Sequence, residues 1–418
     1  MALLFLCLIF GTGRTQKIEA AVQNVPESLE EESRLDTVGT DQETERAAVR
    51  EKKGQQEKEA GDTETDQAAA AQDELLAELD FDAIQQEVDS LLSSQQFSFA
   101  GTVRSLLQDG DPFRTFRAGN AVLSCAKTAF LAQKGLMKEL FLLVLAGAVL
   151  GSFSSLFEGK QVRDASFYMV YLLALALILK KFQSSGENLK AVITSLVAFM
   201  RILTPSYYLA AAAAGGASSA VMFYQMLLLV ILAVEKLLLA LVLPMIHIYL
   251  LIALVNDLSG EEILSHMTEL LETCVNGLLK SSLGVLVGMQ MIRNLIAPAL
   301  DSLRQMALWR TAGMIPGIGN AVNAVTELVA GSAVLIRNCF GVTAMLVLLA
   351  AGMVPAVQLL VSGLSFRLLA AAAQPVSDKR IAGCLAAAGK GYAMLLRLLL
   401  TVEVLFLLTI AILAGTFS

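Results

Sequence analysis

The chain has 418 residues, 56 % of them apolar and 17 % charged, and its mean hydropathy is +0.63. A water-soluble domain usually shows apolar usage of about 45–50 % and charge of about 25 %, so the membrane class leads. A net charge of −7 speaks against nucleic acid as a partner, because phosphate binding needs clustered Lys and Arg.

The charge is spread unevenly. Residues 22–100 hold 21 Asp or Glu and 6 Lys or Arg, whereas residues 101–418 hold 23 basic and 16 acidic residues. Two materials are joined: an acidic segment too poor in apolar groups to offset the entropy of ordering, and a body rich in long apolar runs. The expected fold is an all-α polytopic membrane helix bundle over 109–418, preceded by a signal-like segment and a largely disordered acidic tether outside the cytoplasm.

At the N-terminus, apolar residues 2–10 followed by Gly11-Thr12-Gly13 and Ala20-Ala21 read as a signal-peptide core and cleavage region over 1–21. No Lys or Arg precedes the run, the first being Arg14 and Lys17. It therefore either follows an upstream start or stays as an uncleaved anchor. Cys7 lacks the small residue expected before a lipidated Cys. The tether spans 22–108, and within it Leu75, Leu76, Leu79, Ile84, Val88, Leu91 and Leu92 approximate helical spacing, which predicts an amphipathic helix over 73–96. Such a stripe packs on its own domain or docks on a partner helix.

Six or seven membrane spans are expected. Residues 140–157 are 18 uncharged positions containing Gly147-x-x-x-Gly151, long enough to cross a hydrocarbon layer of about 30 Å. Residues 165–179 follow, ending at Lys180-Lys181. The 33 uncharged residues 202–234 are divided by Gly215-Gly216, with one helix ending near Ala214 and another beginning near Ser219. A break is expected at Pro244, before the apolar stretch that holds His247. Residues 275–296 are interrupted by Lys280, Gln290 and Arg293 but present Gly284-x-x-x-Gly288. Residues 338–366 are 29 uncharged positions with Pro355 inside, and 398–418 are apolar apart from Glu403. The positive-inside rule places Lys180, Lys181 and Lys190, and also Arg367, Lys379, Arg380 and Lys390, in the cytoplasm. An exported N-terminus conflicts with this, because two crossings return Lys180 to the outside unless one early element does not cross or is re-entrant.

Little chemistry is encoded. Only two histidines exist, His247 and His266. His247 in an apolar run reads as a neutral group hydrogen-bonded to a neighbouring helix or as a functional intramembrane residue. Ser259-Gly260-Glu261-Glu262 reads as a capping box opening a helix along the membrane interface, with Ile263, Leu264, Met267, Leu270, Leu271 and Cys274 on its apolar face. Glu262, His266 and Glu269 share the other face, where three ligands could meet a metal, but no HExxH pattern and no further His complete a shell. A solvated face explains them better. The five cysteines show no CxxC spacing, and Gly317-Ile318-Gly319 and Gly389-Lys390-Gly391 fit no phosphate loop. No catalytic, cofactor or metal site is expected. What remains is a set of polar residues within apolar helices: Gln225, Glu235, Lys236, Lys280, Gln290, Arg293 and Glu403. They line a conduit or bind helices together.

The C-terminal third carries Pro316-Gly317-Ile318-Gly319-Asn320-Ala321, Thr326-Glu327-Leu328-Val329-Ala330-Gly331, Ile336-Arg337-Asn338-Cys339-Phe340-Gly341-Val342, Pro355-Ala356 and Gln374-Pro375-Val376-Ser377-Asp378-Lys379-Arg380-Ile381. These segments resemble the stage III sporulation protein AE family of endospore-forming bacteria, and the likeness extends more loosely over about 110–418. The resemblance implies a non-enzymatic, multi-pass subunit of the channel-like complex of stage III sporulation A proteins, in the mother-cell membrane around the forespore. Its implied partners are the bilayer, the other stage III sporulation A proteins and, directly or through another subunit, the forespore's stage II sporulation protein Q; further copies of the chain are also compatible. It brings no catalytic residues. Pro316 and Gly319 would shape a turn before a helix, Gln374-Pro375 would end one, and Asp378 and Arg380 would pair or meet a cytoplasmic partner. The rival is a self-sufficient secondary transporter of a small solute, with Glu235, Lys236 and Glu403 as its coupling site.

Overall fold

A computed structural model of the chain describes residues 80–92, 97–109, 118–154, 160–213, 218–259, 264–312, 319–375 and 377–415. All of them lie in one compact unit, Thr65–Ser418. The expected signal-like segment, most of the tether and Pro316 lie outside the described residues, among which every regular element is helical.

Two short helices open the described chain. Helix α1, Phe81–Leu91, begins where the Asp80 carboxylate accepts from the Ala83 N–H at 3.1 Å. It buries Ile84 and Val88 at its centre. Helix α2, Phe99–Asp109, begins at Ser98, whose hydroxyl accepts from the Gly101 N–H at 3.1 Å. One amide joins the pair: Gln85 donates to the Phe97 carbonyl at 2.7 Å and accepts from the Phe99 N–H at 2.9 Å. The apolar stripe foreseen over 73–96 is thus helical where described, and it faces this domain. Residues 81–91 and 99–109, assigned to the tether by composition, are helical and packed.

The bundle follows as α3 (Ala118–Ser154), α4 (Lys160–Ala213), α5 (Ser218–Leu237), a π-helical turn (Leu238–Val242), α6 (Leu243–Ser259), α7 (Ser265–Ala312), α8 (Gly319–Ala373) and α9 (Lys379–Gly415). Five stretches among the described residues are long and apolar enough to cross a bilayer: Tyr168–Tyr207, Leu228–Ser259, Ser265–Ile292, Gly331–Ala373 and Lys379–Ala411. The expected span at 140–157 falls on α3, whose sequel 155–159 lies outside the described residues.

Three boundaries differ from expectation. Helix α4 does not stop at Lys181 but runs for 54 residues, because nothing at Lys180-Lys181 breaks a helix and the buried stripe Ile178, Phe182, Leu189, Ile193 continues through the charges. Pro244 does not break the chain. Its ring would clash with the carbonyl four residues earlier, and the helix absorbs this by widening just upstream, where the Leu243 N–H bonds Leu238 five residues back. The segment opened by the capping box is not a separate interfacial helix, since α7 continues from Ser265 to Ala312 with Val275, Leu279 and Leu286 extending its buried face. The N–H of Leu264, ahead of that helix, is met by Asn256 Oδ1 of α6 at 2.8 Å.

Contacts fix the register of the bundle. Helices α8 and α9 form an antiparallel hairpin, the most extensive contact in the fold, in which Gly363 meets Tyr392 and Gly352 meets Glu403. Helix α6 runs antiparallel to α9, with Asp257 on Gly383 and Leu250 on Gly391. Helix α4 runs with α9, Phe182 lying on Gly391 and Ser185 3.2 Å from the Tyr392 hydroxyl. Gly147 of α3 sits under Val170 of α4 and near Ile381 of α9. So the end of α3, the start of α4, the end of α6, the end of α8 and the start of α9 share one end of the bundle. At the other, Phe81, Phe99 and Tyr207 gather around Phe340, with ring centroids 6.1, 5.0 and 6.3 Å away. Because α4 carries both of its apolar runs in one helix, Lys180 and Lys181 lie beside Phe182, level with Gly391 partway along α9, and they do not mark a helix end.

Candidate functional site

The buried face of α9 organises the polar interior. Cys384, Ala388, Tyr392, Leu395, Leu399, Val402 and Phe406 follow at helical spacing and are all nearly inaccessible. Four groups of polar side chains meet this helix along its length.

At its first turn, Asp378 acts locally. Its carboxylate accepts from the Arg380 N–H at 3.0 Å, and its carbonyl accepts from the Ile381 and Ala382 N–H groups, so it caps α9. The Arg380 guanidinium donates to the Leu258 carbonyl at 3.5 Å, a cation at the C-terminal end of α6. One turn on, the Asp257 carboxylate rests on Gly383, where an added Cβ would stand 3.1 Å from it. The Tyr171 hydroxyl donates to the Leu254 carbonyl at 2.5 Å, tying α4 to α6. Cys384 is buried beside them, and a thiol closed off from solvent is a small hydrophobe in practice.

Midway, His247 fills a notch at Gly186. An added Cβ there would stand 2.6 Å from both Cε1 and Nε2 of the ring. Nδ1 lies 2.8 Å from the Leu243 carbonyl, beside the π-helical turn, so the imidazole is satisfied by its own helix. Phe182 meets His247 and Tyr392 edge-on at 5.3 and 5.2 Å, and Phe366 stacks on Tyr392 at 5.3 Å. Its hydrogen bond thus runs along α6 itself and not to a neighbouring helix, while the ring packs against Gly186 and Phe182 of α4.

On the flank facing α7, Lys390 pairs with Glu272 and lies 5.9 Å over the Tyr249 ring, and Arg397 donates to Asn276 Oδ1 at 3.0 Å. Farther along, Glu403 is 7 % exposed and its carboxylate fills a notch at Gly352, a position where any Cβ would collide with it.

Among the described side chains, the polar residues singled out by sequence are not seen to converge. Gln225, Lys236 and Lys280 are exposed, and Gln290 is half-buried. Arg293 is in α7, with its side chain outside the described residues. Glu235 is half-buried and lines a small pocket with Ile231, Leu238, Leu286, Val402 and Phe406, whereas Glu403 turns to Gly352 of α8. Glu235, Lys236 and Glu403 therefore form no shared coupling site among the described contacts. On α7, His266 and Glu269 are exposed and Glu262 lies outside the described residues. Among the described residues no three His, Cys, Asp or Glu side chains come together as metal ligands would.

Sequence reasoning passed over Asp257, Glu272, Arg397 and above all Arg337, and it named Lys390 only as a cytoplasmic charge and as part of a rejected phosphate loop. Arg337 is 1 % exposed within α8, three residues before Phe340, and its guanidinium donates to Asn338 Oδ1 at 3.4 Å. A buried arginine inside an apolar helix is costly and marks structure or function. The signal was present, since Arg337 lies in one of the quoted motifs, but counting uncharged runs starts at Asn338 and discards it.

The family model for stage III sporulation protein AE matches residues 97–416. The chain belongs to that family. Among curated proteins, the stage III sporulation protein AE of Bacillus subtilis (strain 168) is 22 % identical over 291 residues, covering 69 % of this chain and 73 % of that protein. No solved structure matches. The family match starts at Phe97, so it takes in α2 and the whole bundle, including the Arg337–Phe340 and Asp378–Arg380 segments, and leaves out the acidic N-terminal region. This stage III sporulation protein AE family member is a multi-pass membrane protein of sporulation.

Proposed function

We propose that this protein is a non-enzymatic subunit of the complex of stage III sporulation A proteins that links mother cell and forespore, and that it sits in the mother-cell membrane around the forespore. Family membership over three-quarters of the chain is the observation that carries the reading. The arrangement of the bundle supports it. Asp378 caps α9, Lys390 pairs with Glu272, and His247 and Glu403 fill glycine notches, and a nucleophile lying against a base has no counterpart among the described contacts. The basic turn at Lys379 and Arg380 is at one end of the bundle, which the positive-inside rule assigns to the cytoplasm. The α1–α2 pair then lies on the far side, toward the intermembrane space and the forespore partner, stage II sporulation protein Q. Asp378 and Arg380 would present the turn between α8 and α9 to a cytoplasmic subunit.

Deleting the gene in its own spore-forming host tests this. Engulfment should finish and late forespore gene expression should then fail, and detergent extracts of sporulating cells should yield the tagged chain together with other stage III sporulation A proteins. Wild-type spore yield, or solute uptake by the chain reconstituted alone in vesicles, would overturn it.

A further inference from the structure

We infer that the outer face of α4 from Lys180 to Arg201 is wet where the bundle crosses the bilayer, and that it forms one wall of an aqueous conduit favouring small anions. The inference deepens the proposed function and rests on it for the chains that complete the wall, whereas the depth of the face follows from the register of the bundle. Residues 237–256, mostly in α6, are 20 uncharged positions bounded by Lys236 and Asp257. They make about 30 Å of helix, the thickness of the hydrocarbon layer. Their exposed side chains Leu241, Ile248, Leu251 and Val255 suit acyl chains.

His247, at the middle of that run, fills the notch at Gly186 of α4, and one turn nearer the Arg380 end Leu250 and Phe182 meet at Gly391. Gly186 therefore marks the bilayer midplane on α4. Lys180 precedes it by six residues and Thr194 follows it by eight, about 9 and 12 Å along the helix, so both fall inside the layer. The buried stripe of α4 holds Phe182, Gly186, Leu189 and Ile193, while Lys180, Ser184, Glu187, Asn188, Lys190 and Thr194 are exposed on its outer face. Among the described residues of α4 after Leu173, no large apolar side chain is exposed. At one depth, then, α6 turns an apolar face outward and α4 a polar one. Lys180 and Arg201 are 21 residues apart, about 32 Å, so the polar face reaches across the layer.

Acyl chains do not cover such a face, because ionised groups within a span face protein or water. The residue types speak against a protein cover. Lys, Glu and Ser are depleted at interface cores, and a buried charge needs a partner. Among the described residues Lys180, Glu187 and Lys190 form no ion pair, and Glu187 accepts from Gln183 of its own helix at 3.2 Å. Water is the occupant that leaves all of them solvated. Lys180, Lys181, Lys190 and Arg201 stand against the one carboxylate of Glu187, and basic pore walls select anions.

The test uses the full chain in membranes of sporulating cells, with the native cysteines replaced and single cysteines introduced as Asn188→Cys or Thr194→Cys, and Leu251→Cys of α6 as the lipid-facing control. The probes are two water-soluble methanethiosulfonates, one bearing a sulfonate and one a trimethylammonium group, with rates corrected for those on a free thiol. Both α4 sites should react about tenfold or more faster than Leu251→Cys, and about threefold or more faster with the sulfonate than with the ammonium reagent. Adding Lys190→Glu should abolish that preference. If Asn188→Cys does not accumulate, Ser184→Cys is read in its place. Rates at the α4 sites no higher than at Leu251→Cys, a preference for the cation or for neither reagent, or a preference that survives Lys190→Glu would each overturn the inference. Co-extraction with other stage III sporulation A proteins is followed in the same membranes. Slow labelling of a chain that still co-extracts overturns the conduit and leaves the subunit role standing; loss of co-extraction overturns the subunit role and the conduit with it.

Discussion

The notch between α8 and α9 makes a sharp quantitative test. At Gly352 an ideal Cβ falls on the Glu403 carboxylate, and Glu403 is 7 % exposed, so the carboxylate has little free space to move into. Gly352→Ala adds one methyl group and forces either a new Glu403 rotamer or a wider hairpin. Overpacking of this kind costs about 1–3 kcal/mol. A loss of about 2 kcal/mol changes the folded-to-unfolded ratio roughly 30-fold. Glu403→Ala alone leaves a cavity where the side chain had been and should cost about 2 kcal/mol or more. In the double variant the new methyl enters that vacated space, so the two losses should fall short of their sum by about 1–2 kcal/mol. Reversible unfolding in mixed micelles of mild detergent and sodium dodecyl sulfate reads all four proteins. If Gly352→Ala is silent, or the double loss equals the sum within about 0.5 kcal/mol, the carboxylate does not occupy the notch.

Other consequences follow from single contacts. Phe99→Ala removes the ring that touches both Phe81 and Phe340, and it should cost about 3–5 kcal/mol locally, seen as faster hydrogen exchange across α1 and α2 with α8 and α9 unchanged. The Lys390–Glu272 pair is half-exposed on the lysine side, so Lys390→Ala should cost no more than about 1 kcal/mol in the same detergent titration. Exchanging the two residues should recover most of that loss, whereas reversing one alone should not. Asp80→Ala should lower the stability of α1 by about 1 kcal/mol, again by hydrogen exchange, because it removes the acceptor of the Ala83 N–H.

The sequence shows helical class clearly and helix boundaries only in part. Runs without charge point to membrane helices because desolvation of Lys or Glu dominates in lipid, so residues 202–213, 218–234 and 338–366 are legible as helix without knowledge of their neighbours. Where a charge or proline falls inside a long helix, run counting fails. Lys180-Lys181 looks like an end but is a solvated face of α4, whose inner face continues through Phe182 and Leu189. Pro244 looks like a break because its missing N–H is visible in sequence, whereas the π-helical turn that accommodates it depends on backbone geometry. The polar interior is less legible still. Gly186 and Gly352 are ordinary helical glycines by sequence, and only the docking of α6 and α9 shows that each receives a polar side chain. Asp257 and Arg337 sit at the borders of uncharged runs, so a search inside the runs misses both.

Labelling single cysteines from either side of the membrane tests the central geometry most directly. In a background with the native cysteines replaced by serine, Ser184→Cys on α4 and Ser377→Cys in the turn before α9 should both react with an impermeant thiol reagent from the cytoplasm, and Ser98→Cys ahead of α2 only from the opposite side. If positions 184 and 377 label from opposite faces, α4 does not pass through Lys180-Lys181 as one helix in the membrane, and the register drawn here is wrong.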